Sequence, residues 1–276
     1  MADSTRDALV AQLHDVWDSL IELGTTLTDS DWATPTPCPG WPVAAQYAHM
    51  IGTESMLLQR PNPESDGDKT EKDHVRNQIG GFNEVWVDHL AGKSRTEVLE
   101  VFAEVIGARK EALAAMTEDD FSAPSWTPVG QADYRRFMQI RVFDCWVHEQ
   151  DIRDGIGRVG HESGPAAEQA VDEIARAAGY LVGKKAGVPA GSGVSIVLTG
   201  PVERHINVEV GERAKVVDAL STDPTATITL SSTAFTRLAC GRIDPAQVED
   251  GALGGVRLTG DEDLGQRVVA NLAFTI

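Results

Sequence analysis

The stretch TPCPGWPVAAQYAHM, Thr36 to Met50, sets three prolines, a glycine, a cysteine and a tryptophan directly ahead of an apolar run that carries a histidine. Proline has no N–H to donate and fixes its own φ, so this sequence breaks any preceding helix. Pro42 suits the first turn of a new one, where the missing N–H has no partner to lose. A helix is therefore predicted from Pro42 to about Leu58. Upstream, Leu9, Leu13, Val16, Trp17, Leu20 and Ile21 recur at three- and four-residue intervals, the period of an amphipathic helix from Asp3 to about Leu23. Downstream, Val75, Ile79, Phe82, Trp86 and Leu90 mark a third helix with Gly80 and Gly81 in its middle. Val98, Val101, Phe102, Val105, Ile106 and Leu113 mark a fourth, with Ser94 or Thr96 as its cap. A further helix runs from about Gln131 to Asp154 and stops at Gly155. Helices joined by loops, with no strand signal between them, predict a four-helix-type bundle.

Beyond about Gly164 the pattern changes. One helix, Pro165 to about Lys185, precedes the β-rich runs VSIVLT, HINVEV, AKVVDAL and TATITL. The intervening GPVER, GER and STDP suit hairpin turns. A short helix near Pro245, the run GVRLTGD and a last helix in DEDLGQRVVANLAF complete an α+β domain. The glycine-rich GIGRVGHESG separates the halves. The expected domains are residues 1–158, a helical bundle, and residues 159–276, a smaller α+β domain.

At 276 residues, two domains are the default. Hydrophobic content of 42% and charged content of 24% are ordinary globular values and argue against a disordered, coiled-coil or membrane protein. No apolar run approaches the roughly 20 residues that span a bilayer, and MADSTRDALV lacks a basic segment leading into a signal core. A cytoplasmic protein is expected. A net charge of -18 repels phosphate backbones and anionic head groups, so neither nucleic acid nor a membrane is expected as a partner. Three widely spaced cysteines, Cys38, Cys145 and Cys240, match neither a disulfide framework nor a four-cysteine zinc module.

The arrangement richest in chemistry is Asp144 and His148 within RVFDCWVHEQDIRD. Residues four apart project from one helical face and can grip one ion, and zinc takes both ligand types at about 2.0 to 2.2 Å. A salt-linked surface pair is the alternative, and Arg141, three residues earlier, can simply pair with Asp144. His49 is the candidate third ligand, because bundle sites are assembled from facing helices. Asp151 can orient His148 from behind or be a helix-surface charge. Trp41 can line the mouth of a pocket. No residue is singled out as a catalytic acid, base or nucleophile.

The pattern TPCPGW-PV-x-x-x-x-A-H-M, followed about one hundred residues later by R-V-F-D-x-x-V-H-x-x-D, resembles the mycothiol-dependent maleylpyruvate isomerase family of DinB-like bundles. The stretches TDPTATITLSSTAFTRLACGRIDP and VRLTGDEDLGQRVVANLAF look like the sterol-carrier-like domain often fused to them. The resemblance implies a divalent metal, usually zinc, held by His49, Asp144 and His148. Aspartate stands at the second position, where glutamate is usual. It implies a thiol cosubstrate, mycothiol or a similar one, activated as thiolate and added to a small electrophile, in a transferase or isomerase whose second domain narrows the pocket. A metal hydrolase using bound water, and a non-enzymatic carrier of an apolar ligand, are the alternatives.

Other features read more plainly. Gly155-Ile-Gly157-Arg-Val-Gly160 matches a dinucleotide fingerprint in letters but follows a helix, not a strand, and reads as a helix stop and linker. Cys38, between Pro37 and Pro39, reads as a structural loop residue, with a reactive thiol near the site as the alternative, and Cys145 reads as core. His14, His74, His89, His161 and His205 lack partners at ligand spacing, and Arg237 and Arg242, which flank an apolar helix, read as solvated, with contacts to the carboxylates of a thiol cofactor as the alternative.

Overall fold

The computed structural model describes residues 5–275. These fall into two compact units, Met1–His161 and Glu162–Ile276. Asp3, where the periodicity starts the first helix, lies outside the described residues. Thr5 caps α1 (Arg6–Thr26), its side chain accepting from the Ala8 amide. Leu9, Leu13, Val16, Trp17 and Leu20 bury one face. A single turn, α2 (Asp29–Trp32), leads into the proline-rich loop and then α3 (Val43–Leu57). Next come α4 (Gln78–Leu90) and α5 (Arg95–Ala115), the latter capped by Ser94 in a reciprocal capping box with Glu97. The short α6 (Glu118–Ser122) precedes α7 (Tyr134–Gly155), the long helix capped by Asp133. In the bundle α1 packs on α5 and α7, and α3 packs on α4, α5 and α7.

The structure differs from the periodicity in three places within this unit. Residues 124–133 form a two-stranded hairpin, β1 (Pro124–Thr127) and β2 (Gly130–Asp133), where only a loop is expected. Four-residue strands built of PSWT and GQAD show no readable alternation. Pro42 is the extended N-cap of α3, not its first helical residue, because it is bridged to Pro35 across the loop. Gly80 and Gly81 sit in the first turn of α4, whose cap is Asn77, so they interrupt no helical interior.

The second unit opens with α8 (Pro165–Tyr180), which runs into a π turn at Leu181–Lys185. Its sheet comprises β3 (Gly193–Thr199), β4 (Arg204–Val210), β5 (Ala214–Val217), β6 (Ala226–Ser231) and β7 (Val256–Gly260), in the order β5-β4-β3-β6-β7. α9 (Ser232–Ala239) and α10 (Pro245–Glu249) link β6 to β7, and α11 (Glu262–Val269) follows. Two of the expected hairpins form, β3 with β4 and β4 with β5. STDP does not make a third: β6 lies parallel to β3, so the chain crosses the sheet there. β4 and β6 alternate buried with half-buried residues, as strands with one covered face do. The central β3 is buried at nearly every position. No described helix is long and apolar enough to cross a membrane.

Candidate functional site

The proline-rich loop is a fastened turn. The Trp41 amide donates to the Cys38 carbonyl at 3.1 Å and Gly40 adopts φ 80°, which is the arrangement of a type II turn with Pro39 and Gly40 at its centre. A Cβ on Gly40 would also stand 2.6 Å from the His74 ring. The Thr36 hydroxyl ties the loop shut, donating to the Trp41 carbonyl at 2.7 Å and accepting from Gln46 Nε2 at 2.7 Å. The turn aims the indole of Trp41 at two imidazoles, with centroids 5.1 Å from His49 and 5.6 Å from His148. Helix α3 is buried almost all round, and it carries Gln46, His49, Thr53 and Glu54 into the bundle. So much buried polarity on one helix requires internal partners.

On α7, Asp144 and His148 present themselves to His49 as their i, i+4 spacing requires. His49 Nε2 lies 3.0 Å from Asp144 Oδ2, and His148 Nε2 lies 3.7 Å from Asp144 Oδ1. The two imidazole centroids are 4.6 Å apart. Behind His148, its Nδ1 is 3.3 Å from Asp151 Oδ2, an ion-pair separation short of hydrogen-bond alignment. His49 has no such support: its Nδ1 is buried with no hydrogen-bond partner among the described residues. Together the three residues offer two imidazole nitrogens and a carboxylate within 4.8 Å of one another.

Sequence spacing brings Arg141 to Asp144, and the structure adds what lies behind it. Arg141 donates to Asp144 Oδ2 at 2.5 Å and, through Nε and a terminal nitrogen, to Glu54 Oε1 at 2.9 and 2.8 Å. Glu54 also accepts from Arg109 Nε at 2.8 Å, and Arg109 reaches the Tyr134 hydroxyl at 3.1 Å. Charges taken out of water are tolerated only when paired in this way. Burial pushes the Asp144 carboxyl upward, but the Arg141 guanidinium, then His49 and His148, outweigh it and hold Asp144 well below the usual carboxylate range. The imidazoles diverge. Burial dominates at His49 and lowers it, whereas at His148 burial is overcome by two carboxylates, Asp144 and Asp151, and the value is raised. Burial also pushes the Cys145 thiol up to about 12, in keeping with its reading as core.

A second carboxylate, Glu84, escapes sequence reasoning. It is buried on α4 and accepts from Trp41 Nε1 at 2.5 Å, His74 Nε2 at 2.7 Å and Lys72 Nζ at 2.5 Å. Through Trp41 it supports the wall against which both imidazoles pack. The one available signal is an acid set among the apolar residues of a helix. Cys38, read as a loop residue, lies close to His148 and Asp151. Of the histidines without partners in sequence, His74 meets Glu84 and His161 meets Glu149 and Asp15. Arg237 is buried, not solvated, on α9. The Gly155–Gly160 run is helix end and linker, and a Cβ on Gly155 would come within 2.9 Å of the Pro35 carbonyl.

Above this cluster opens a cavity of roughly 230 Å³ whose lining includes His49, Arg141 and Asp144 at one end and Met56, Phe82 and Phe137 along its wall. Two imidazoles and an ionised carboxylate, of which His49 and Asp144 line this apolar cavity, have the donor chemistry to hold a divalent cation beside an organic ligand.

The family model of the mycothiol maleylpyruvate isomerase N-terminal domain matches residues 13–153, and that of the MDMPI C-terminal domain matches residues 168–267. Among curated relatives, uncharacterised proteins from two strains of Mycobacterium tuberculosis are each 28% identical over 148 residues. The match covers 54% of this chain and 56% of theirs, so the chain spans little more than half the length of these relatives. Crystal structures of a mycothiol-dependent maleylpyruvate isomerase and of a histidine-to-alanine mutant of it share the fold, with a TM-score of 0.56 over 93% of this chain and 94% of theirs. Sequence identity to both is 13%, so the likeness is one of fold alone.

Proposed function

Because this chain belongs to the mycothiol maleylpyruvate isomerase family, we propose that it is a metal-dependent cytoplasmic enzyme that transfers or isomerises a small electrophile with mycothiol or a similar thiol as cosubstrate. The observation that carries this reading is the convergence of His49, the Asp144 carboxylate and His148, of which His49 and Asp144 line the cavity. Tetrahedral ligands about 2.0 to 2.1 Å from a zinc ion are about 3.4 Å from one another. The three residues each offer a ligand atom within 4.8 Å of the others, with His49 3.0 Å from one oxygen of Asp144 and His148 3.7 Å from the other, so the donor set suits such an ion. When bound, a divalent ion with three protein ligands supplies an open position at which a thiol loses its proton at neutral pH.

The chain's own residues do the rest. Asp151, 3.3 Å behind the His148 Nδ1, stands where the carboxylate that orients a ligating imidazole is commonly found. Arg141 keeps Asp144 ionised and anchored. Trp41, held by Glu84, covers both imidazoles and excludes water from that side. The thiolate, not the thiol, is the nucleophile, and a dry pocket around it protects the electrophile from competing hydrolysis.

Elemental analysis tests the reading directly. The purified wild type is expected to carry near-stoichiometric divalent metal, and Asp144→Ala and His49→Ala to lose most of it. Wild-type protein that stays metal-free in zinc-supplemented buffer would end the metal reading. Turnover of an electrophile is expected only when mycothiol is added. Equal turnover without thiol would point instead to a hydrolase.

A further inference from the structure

Behind His148 stands a second set of donors that includes a sulfur. Cys38, His148 and Asp151 each offer one ligand atom within 4.8 Å of the others. His148 has two ring nitrogens, of which Nε2 faces Asp144 at 3.7 Å and Nδ1 faces Asp151 at 3.3 Å. That Nδ1 is buried and makes no hydrogen bond among the described residues, in a residue only 8% exposed. A polar atom taken out of water costs free energy until something pairs with it. His148 and Asp151 are three apart on α7, so the helix brings them to one face. Cys38 comes from the proline-rich loop, where it is already fixed. Its amide donates to the Thr36 hydroxyl at 3.2 Å, its carbonyl accepts from the Trp41 amide at 3.1 Å, and a proline flanks it on either side. Of the three cysteines, Cys145 and Cys240 are buried, whereas Cys38 is partly exposed.

The two donor sets differ in chemistry. His49, Asp144 and His148 offer nitrogen and oxygen, whereas the set behind offers sulfur as well, and thiolate ligands select soft ions. We propose that Cys38, His148 Nδ1 and Asp151 form a second metal site, selective for thiophilic ions such as cadmium, and that filling it takes His148 away from His49 and Asp144. As the sulfur–metal bond forms, the thiol proton leaves to water, because a coordinating thiol is deprotonated outright. A neutral imidazole carries its proton on one nitrogen and a lone pair on the other, so His148 serves one set at a time. The existence of the second site is independent of the proposed function. That its filling empties the first set rests on that function.

The test is titration of the full chain, as purified, with cadmium chloride, followed by the ultraviolet charge-transfer absorption of a cadmium–thiolate bond. Wild type and His49→Ala, which lacks a ligand of the first set only, are both expected to develop the band with near-stoichiometric cadmium. Cys38→Ser and Cys38→Ala are each expected to abolish it. Asp151→Asn keeps the shape but loses the charge, and is expected to weaken cadmium binding at least about tenfold. A band that is absent from wild type or His49→Ala, that persists without Cys38, or that is indifferent to Asp151→Asn overturns the inference. Release of the resident divalent ion is read separately with a chromogenic chelator and is expected to rise with the band in wild type. A resident ion that stays bound while the band forms overturns the competition for His148. A band in wild type that carries no resident ion counts against the proposed function alone, and a resident ion with no band counts against the present inference alone.

Discussion

Glu54 accepts from both Arg109 and Arg141 while exposing none of its side chain. Removing its charge leaves two guanidinium groups buried against one remaining carboxylate, Asp144. Breaking a buried ion pair by deleting one partner typically costs about 3–5 kcal/mol, because the other charge is stranded. Glu54→Gln, which keeps the shape, is therefore expected to lose about 3–5 kcal/mol in urea unfolding. A loss below about 1 kcal/mol would mean that the network is not the support described. This residue also marks a limit of sequence reading. Asp144 and His148 are legible as neighbours because helical geometry places i and i+4 together, and Arg141 joins them by the same rule. Glu54 stands 87 residues from Arg141 and Glu84 stands 43 from Trp41. An isolated acid on an apolar helix announces that it needs a partner but not which one.

Among the elements, α3 and the turn before it carry the greatest constraint. The prolines of that loop are legible as a break, but its function as a brace depends on the bridge of Pro35 to Pro42 within it and on contacts from distant segments, His74 against Gly40 and Glu84 on Trp41. Gly40 is required twice over, for its φ of 80° and for the space its missing Cβ leaves to the His74 ring. An alanine in the left-handed region costs about 1–2 kcal/mol before any clash is counted. Gly40→Ala is expected to lower stability by at least that much in chemical denaturation and to shift the tryptophan emission as Trp41 moves. Unchanged emission with unchanged stability would refute the brace. The hairpin at residues 124–133 and the parallel pairing of β6 were illegible for a different reason. Strand pairing is a long-range choice, and four-residue strands carry too few positions to show a period of two.

For the molecule as a whole, the change from helical to strand periodicity is legible near Gly164, and the structure divides the chain between His161 and Glu162. What draws His161 into the first unit is not visible in its own neighbourhood of glycines. Its carbonyl accepts from Trp146 Nε1 at 2.8 Å, its Nδ1 meets Glu149 at 2.7 Å and its Nε2 meets Asp15 at 3.1 Å. Glu149 is itself held by Ser19 and Arg153. The hydrogen bond that the His161 ring donates to Glu149, against the opposing effect of burial and with the help of Asp15, raises the His161 imidazole above its ordinary value. A raised folded value means that the native state binds the proton more tightly than the unfolded chain does. The stabilisation is therefore complete below the unfolded value of about 6.5 and fades as pH climbs through the raised folded value. Thermal melts of wild type and His161→Gln between pH 5 and pH 9 should differ most at the acid end and converge towards the alkaline end. A gap that widens with rising pH would show that His161 fastens the end of this unit as a neutral ring, and the charge-based account of its anchoring would have to be abandoned.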